Sequence, residues 1–315
     1  MNSTPSIKIL ALCGILLSGF WAGNAIGATG TFHQVLSVDG PLLLDVSTGS
    51  GSIEISSGSA QSVEVTGHIR VGNGSFFGLF GRSSGKQQEL VDQLENEPPI
   101  SLVDGHLKVG HLKKPAFKGN VSISYEIVVP AGTEVISHTG SGAQTISEVA
   151  GPVEAQTGSG RITLTDIGGA VNARTGSGAI QADQIAGAFE AHTGSGSVRL
   201  TQVAPGDVVV TLGSGSSTLH GVVGSLHVEG GSGRIDIDGQ QQGDWNIDTG
   251  SGSVRIKLPE DAAFNLDAHS GSGGITVDHP LTVQGKMSKR HMRGEVRGGG
   301  DRLTVETGSG GIRIE

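Results

Sequence analysis

The sequence predicts an all-β fold, a single-stranded parallel β-helix or β-solenoid with coils of about 18 residues and a small capping insertion containing a short helix. Three observations carry that prediction. Gly-Ser-Gly begins at residues 49, 140, 158, 176, 194, 213, 231, 250, 271 and 308, so from 140 onward the spacing is 18, 18, 18, 19, 18, 19, 21 and 37. Apolar residues alternate on both sides of the motif, as in Val153/Ala155 and Ile162/Leu164, or Phe189/Ala191 and Val198/Leu200, which is the period of a strand with one buried face. A third apolar column, Val149, Ile167, Ile185, Val203 and Val222, gives each coil a third inward-facing segment.

Other periodic architectures fail on the same residues. A flexible Gly/Ser linker carries no ordered apolar positions between its glycines. Stepping by six from Ile162 reaches Gly168 and Arg174, which breaks the aliphatic column of a left-handed hexapeptide helix. The nonapeptide calcium roll requires an Asp that nearly every copy lacks. The last interval, about two periods, predicts one degenerate copy before residue 308.

The elements follow in order. Residues 1–28 hold Lys8 as their one charge, an apolar run from Ile9 to Ala22, and small residues Ala25, Gly27 and Ala28, the pattern of a secretory signal peptide. The apolar run is too short to span a bilayer comfortably. An exported chain without a transmembrane segment after cleavage is expected, in the periplasm, at the cell surface or outside the cell. Residues 29–130 read as an N-terminal β region, with Leu42, Leu44, Val46, Ile53, Ile55, Val63 and Val65 alternating and a capping insertion over 72–118. That insertion holds an aromatic loop, SFFGLFG at 75–81, and a helix from Lys86 to Asn96 with Leu90, Val91 and Leu94 on one face, stopped by Pro98 and Pro99. Residues 131–315 carry the solenoid repeats, and the final strand, Gly311 to Glu315, has no recognisable cap, which leaves head-to-head association open unless Arg313 and Glu315 block it.

At each corner, Gly is expected to supply positive φ and to let successive coils stack closely. The Thr just before the motif (Thr48, Thr139, Thr157, Thr175, Thr193, Thr249, Thr307) falls on the inward parity, where its hydroxyl can satisfy buried corner amides.

Composition narrows the function. Removing residues 1–28 leaves 20 basic against 30 acidic residues, which argues against nucleic-acid binding. The only cysteine, Cys13, lies in the leader, so no disulfide staples the mature chain, and Leu12 before it argues against lipidation. With 54 Gly but only 8 Phe, 2 Trp and 1 Tyr, a thin regular core fits better than one built on large side chains.

Candidate chemistry lies on the outward columns. Two positions before each motif they read His138, Gln156, Arg174, His192, Thr211, Glu229, Asp248 and His269. His138 and His192 are three coils apart, too far for joint metal ligation; no metal and no cofactor is expected. Glu229 and Asp248 on adjacent coils would stand about 5 Å apart, the separation of a retaining glycosidase pair. His269 would follow on the next coil, flanked by His227, Asn246 and Asp267. These carboxylates support the alternative of a polysaccharide-active lyase or hydrolase, against the simpler reading of a solvated acidic face. A basic stretch, QGKMSKRHMRGEVRGGGDR at 284–302, offers Lys286, Lys289, Arg290, Arg293 and Arg297 to an anionic glycan or envelope polymer.

The stretch VSISYEIVVPAGTEVISHTGSGAQTI at 121–146, with the repeats through GGGDRLTVETGSGGIRI at 299–314, resembles the bacterial putative-adhesin family of β-strand-repeat proteins over roughly 32–315. The resemblance implies a β-helix-like fold and export, and brings no catalytic residues with it. Together these readings point to an exported, non-enzymatic scaffold that binds a cell-surface or extracellular polymer or a protein partner.

Overall fold

The computed structural model describes residues 27–59, 61–72, 84–112, 121–283 and 288–315. Most of the leader, the SFFGLFG loop and Lys286 lie outside them. Strands dominate, with one helix among the described residues, and they form a long sheet that does not close on itself, a solenoid-like arrangement. The chain divides into two compact units, residues 1–142 and 143–315.

In the second unit, equivalent residues of successive repeats pair in parallel register. Ile162–Ile167 lies between Gln144–Val149 and Ile180–Ile185, so that Ile162 faces Ile180 and Ile180 faces Val198. Val153–Thr157, Val171–Thr175, Phe189–Thr193 and Val208–Ser214 form the second wall in the same way. Ile162, Ile180 and Val198 are all fully buried, as the alternation requires. The interior is thus a stack of aliphatic layers, one per repeat.

The corner chemistry is more specific than a turn. The glycines of the motifs at 158, 176 and 194 do not adopt positive φ; what they supply is proximity. A Cβ at Gly178 would lie 1.7 Å from the Gly160 carbonyl oxygen, and one at Gly196 would lie 1.7 Å from that of Gly178. Beside them the buried threonines link the coils. Gly178 N–H donates to Thr175 Oγ1 at 3.0 Å, and Thr175 Oγ1 donates to the Gly160 carbonyl at 3.2 Å. Thr193 repeats both bonds with Gly196 and Gly178, at 3.0 and 3.1 Å. The last glycines of the motifs at 213 and 231, Gly215 and Gly233, do have positive φ, at 151° and 130°, and positive φ also falls at a different corner, on Glu148, Asp166 and Gln184, one residue before the third apolar column.

That column departs from expectation at one coil. Val203 is 60% exposed, and Gln202 is buried in its place. The cause is a register shift: Ala182 faces Leu200 but Ile185 faces Gln202, so this coil lacks the extra left-handed residue and the inward parity moves by one. The buried amide is satisfied, donating to the Gly206 carbonyl at 2.9 Å and accepting from Val223 N–H at 3.1 Å.

The end of the chain breaks sequence order. Asp301–Thr307 lies between Trp245–Thr249 and Phe264–Ser270, parallel to both. Ile312–Ile314 lies likewise between Val254–Lys257 and Ile275–Val277. The long last interval is therefore no degenerate copy: the chain builds the outer coil first and returns to fill the position inside it. The final strand is correspondingly not an open edge. His291–Val296 runs antiparallel along the outer coil, and Leu281–Val283 pairs antiparallel with it.

In the first unit, Leu43–Thr48 is flanked in parallel by His106–Val109 and Glu134–Thr139. Ile53–Ser57 pairs in parallel with Val121–Val129, followed by antiparallel Ser62–Val71 and Ala28–Ser37. The helix spans Ser84–Asn96 and buries Val91 and Leu94, while Leu90 is half-buried. It packs over Gly30, where a Cβ would meet Val91 at 2.3 Å, and Glu95 accepts the Thr31 N–H at 2.7 Å.

The corner geometry yields an expected outcome. Gly178→Ala drives a methyl into backbone that cannot yield locally and should lower stability by about 3 kcal/mol, whereas Thr175→Val keeps the volume and removes two hydrogen bonds, at a cost of about 1–2 kcal/mol. Urea midpoints followed by circular dichroism measure both, and a Gly178→Ala cost below that of Thr175→Val would contradict the close-approach account.

Candidate functional site

Nine strands of the second unit present one continuous outward face. In spatial order, one row reads Gln156, Arg174, His192, Thr211, Glu229, Asp248, Glu306, His269 and His291, and the adjacent row reads Glu154, Asn172, Glu190, Val209, His227, Asn246, Thr304, Asp267 and Arg293. Both rows exist because alternate residues of a strand point outward while their neighbours, from Val153 to Val305, fill the core.

Glu229 and Asp248 are direct register partners, as the spacing predicts. Asp248 and His269 are not. Glu306 stands between them, because the 301–315 coil occupies the position that sequence order assigns to 264–277. Three carboxylates therefore line up on neighbouring strands, all of them exposed. Glu229 accepts from His227 on its own strand at 3.0 Å. Glu306 could have been found from its ETGSG context, which matches DTGSG at Asp248; its place beside Asp248 could not.

The basic residues are brought together only in part. Lys289 and Arg290 run across the corner of the outer coil, where their carbonyls accept from Ile275 and Ser270 N–H at 3.0 and 2.9 Å. Arg293 stands 3.8 Å from Asp267. Arg297, at the far end of the His291–Val296 strand, donates from Nε and Nη2 to the Glu260 carbonyl at 3.1 and 2.7 Å. What reads as a basic loop is largely an extended strand, with its cations spread along about 20 Å.

Histidine–carboxylate pairs recur on this face: His192 with Glu190 at 2.8 Å, His227 with Glu229, and His291 with Asp267 at 3.4 Å. Glu190 also pairs with Arg174 at 2.8 Å. The hydrogen bond from His192, then the Arg174 charge, hold the Glu190 carboxyl below its ordinary value despite partial desolvation. Among the described residues, no group of three or more His, Cys, Asp or Glu is arranged to hold a metal ion. The described residues of the first unit also line cavities. One of about 640 Å³ is lined by Thr29, Thr31, His68, Arg70 and Glu95 among others, and one of about 410 Å³ by Leu94, Pro98, Pro99, Lys108 and His111 among others.

The Toastrack DUF4097 family matches residues 106–315, which include every strand of this face. The chain belongs to that family. Three solved structures are similar to this Toastrack DUF4097 chain. A putative cell adhesion protein from Clostridium sporogenes ATCC 15579 is 14% identical, covering 90% of this chain and 99% of its own, with a TM-score of 0.23. A putative lipid binding protein from Parabacteroides distasonis ATCC 8503 is 15% identical, covering 91% and 97%, with a TM-score of 0.47. A putative adhesin from Bacteroides fragilis NCTC 9343 is 10% identical, covering 91% and 97%, with a TM-score of 0.30. No curated protein matches the Toastrack DUF4097 chain.

The Glu190 cluster gives a pH prediction with a definite sign. Its folded value lies below the ordinary 4.5, so its contribution to stability is present above about pH 4.5 and is lost as pH falls through the folded value. The Glu190 and Arg174 side chains are each 41% exposed, so the contribution is below about 1 kcal/mol and weakens with salt. Urea melts of Glu190→Gln between about pH 3 and pH 7 should show a shallower acid limb than the parent chain; parallel pH curves would contradict the assignment.

Proposed function

We propose that this Toastrack DUF4097 chain is an exported, non-enzymatic scaffold of adhesin type that binds a cell-surface or extracellular polymer, or a protein partner, along the outward face of its second unit. In this reading residues 1–28 are a removed leader. Residues 29–130 form a β region closed by an insertion over 72–118, and residues 131–315 form a single-stranded parallel β-helix with coils of about 18 residues. The mature chain works in the periplasm, at the cell surface or beyond it. No helix among the described residues is long and apolar enough to cross a membrane.

The observation that carries the reading is the pair of side-chain rows over nine strands. At strand spacing they extend about 38 Å with a polar or charged group nearly every 4.8 Å. Such a ladder matches an extended ligand with its own repeat better than a compact one. The cations Lys289, Arg290, Arg293 and Arg297, together with Lys286, supply the contact to an anionic glycan or envelope polymer at the outer end of the face. Support against the polysaccharide-active alternative comes from Glu229 and Asp248 themselves. A general acid and a nucleophile need unlike surroundings, yet both carboxylates stand exposed on the same open face.

The test is to incubate the mature chain with envelope fractions and a glycan array beside a variant with Lys289, Arg290 and Arg293 changed to Ser. Binding of the parent should fall with added salt, and binding of the variant should fall several-fold. Undiminished attachment of the variant would remove the basic residues from the contact. No reducing ends should appear with the parent or with Glu229→Gln; release of sugar by the parent that Glu229→Gln abolishes would establish the enzyme instead.

A further inference from the structure

The 301–315 coil lies in a slot between two coils that both precede it in the chain. Its strands are held on both faces, Leu303 between Trp245 and Leu266, Val305 between Ile247 and Ala268, Ile312 between Val254 and Ile275. Leu303, Val305, Ile312 and Ile314 are fully buried. The two walls of the slot carry equivalent residues at equivalent heights: Ile247 and Ala268, Thr249 and Ser270, Val254 and Ile275, Ile256 and Val277. Such walls present residues of like kind at like register positions to the coil between them.

The corner bonds are equally interchangeable. Thr307 Oγ1 donates to the Gly252 carbonyl at 2.9 Å, and Ser270 Oγ donates to the Gly310 carbonyl at 2.8 Å, the pattern also made by Thr175 and Thr193. The coil is also joined by a hinge. Val296 and Asp301 are both register partners of Phe264, from opposite sides. The chain therefore crosses over the end of one strand through Arg297, Gly298, Gly299 and Gly300. Three of these residues, Arg297, Gly298 and Gly299, have positive φ, at 51°, 85° and 82°.

We propose that the 301–315 coil is an exchangeable segment that leaves its slot in one copy of this chain and fills the same slot in a second copy. The second copy is the fitting partner because every contact the coil makes at home is reproduced there, which is how exchange of an identical element links protomers at low energetic cost. Sequence order favours the exchange. The 264–277 coil is synthesised before 301–315, so its direct stacking on 245–257 precedes insertion, and a slot that has just reopened accepts the coil of either chain. Reciprocal exchange closes a dimer, and one-way exchange links chains head to tail. This inference stands apart from the polymer-binding role proposed above.

The mature chain's lack of cysteine makes the test direct. Asp248 and Glu306 are exposed register partners on the wall and on the coil, at a spacing a disulfide can bridge. A chain carrying both Asp248→Cys and Glu306→Cys should cross-link within itself. A mixture of the two single variants, incubated at high concentration in mild urea, returned to buffer and oxidised, should give a 248–306 link between chains. That link, read by peptide mass spectrometry, should be several-fold more abundant than the link between Asp248→Cys and a His192→Cys variant treated alike. An inter-chain 248–306 link no more abundant than that collision control overturns the proposal. Deleting Gly298, Gly299 and Gly300 should block insertion at home and turn the chain into concentration-dependent oligomers by light scattering; a folded monomer from that deletion overturns it as well.

Discussion

Each coil of this chain must pass a corner at which two backbones approach until no side chain fits between them, and the rest of the architecture depends on that approach. A Cβ at Gly178 or Gly196 would fall well inside the van der Waals radius of the carbonyl below. The same closeness puts the Thr175 and Thr193 hydroxyls within reach of the preceding coil's carbonyl while each accepts an amide from its own. Buried corner amides would otherwise be costly. Once the corners are locked at strand spacing, Ile162, Ile180 and Val198 have no choice but to stack, and their outward neighbours become evenly spaced rows.

The local repeat was readable because it is written in every copy. Period-two alternation on both sides of Gly-Ser-Gly gave the inward positions, and nearly all of them are buried. The exception, Gln202 in place of Val203, arises from one missing left-handed residue, and nothing in the apolar pattern marks that loss. The positive φ at Glu148, Asp166 and Gln184 was equally hidden, since these residue types do not announce a left-handed backbone as glycine does. The order of the coils near the end was beyond reach for a different reason. Asp301–Thr307 and Phe264–Ser270 have similar patterns, so either could follow Trp245–Thr249, and only the path of the connecting hinge decides which does.

The candidate site inherits both halves of that lesson. Glu229 beside Asp248 followed from repeat arithmetic, whereas Glu306 entered the same row from 58 residues away in sequence by the reversal of coil order. Charge clustering along the chain misled in the opposite direction. Lys289, Arg290, Arg293 and Arg297 are neighbours in sequence, but an extended strand separates them, and Arg297 is engaged with the Glu260 carbonyl at the far end. A linear count of cations overstates a patch whenever the segment holding them is a strand.

The reversal of coil order also governs how the molecule would bear force. A tensile load applied at Glu315 does not meet an outermost strand that can be unzipped one hydrogen bond at a time. It pulls on a segment clasped by parallel strands on both flanks, so the bonds of two ladders share the strain and must slide together before either gives way. A tether anchored at that end of the chain would hold by resisting shear.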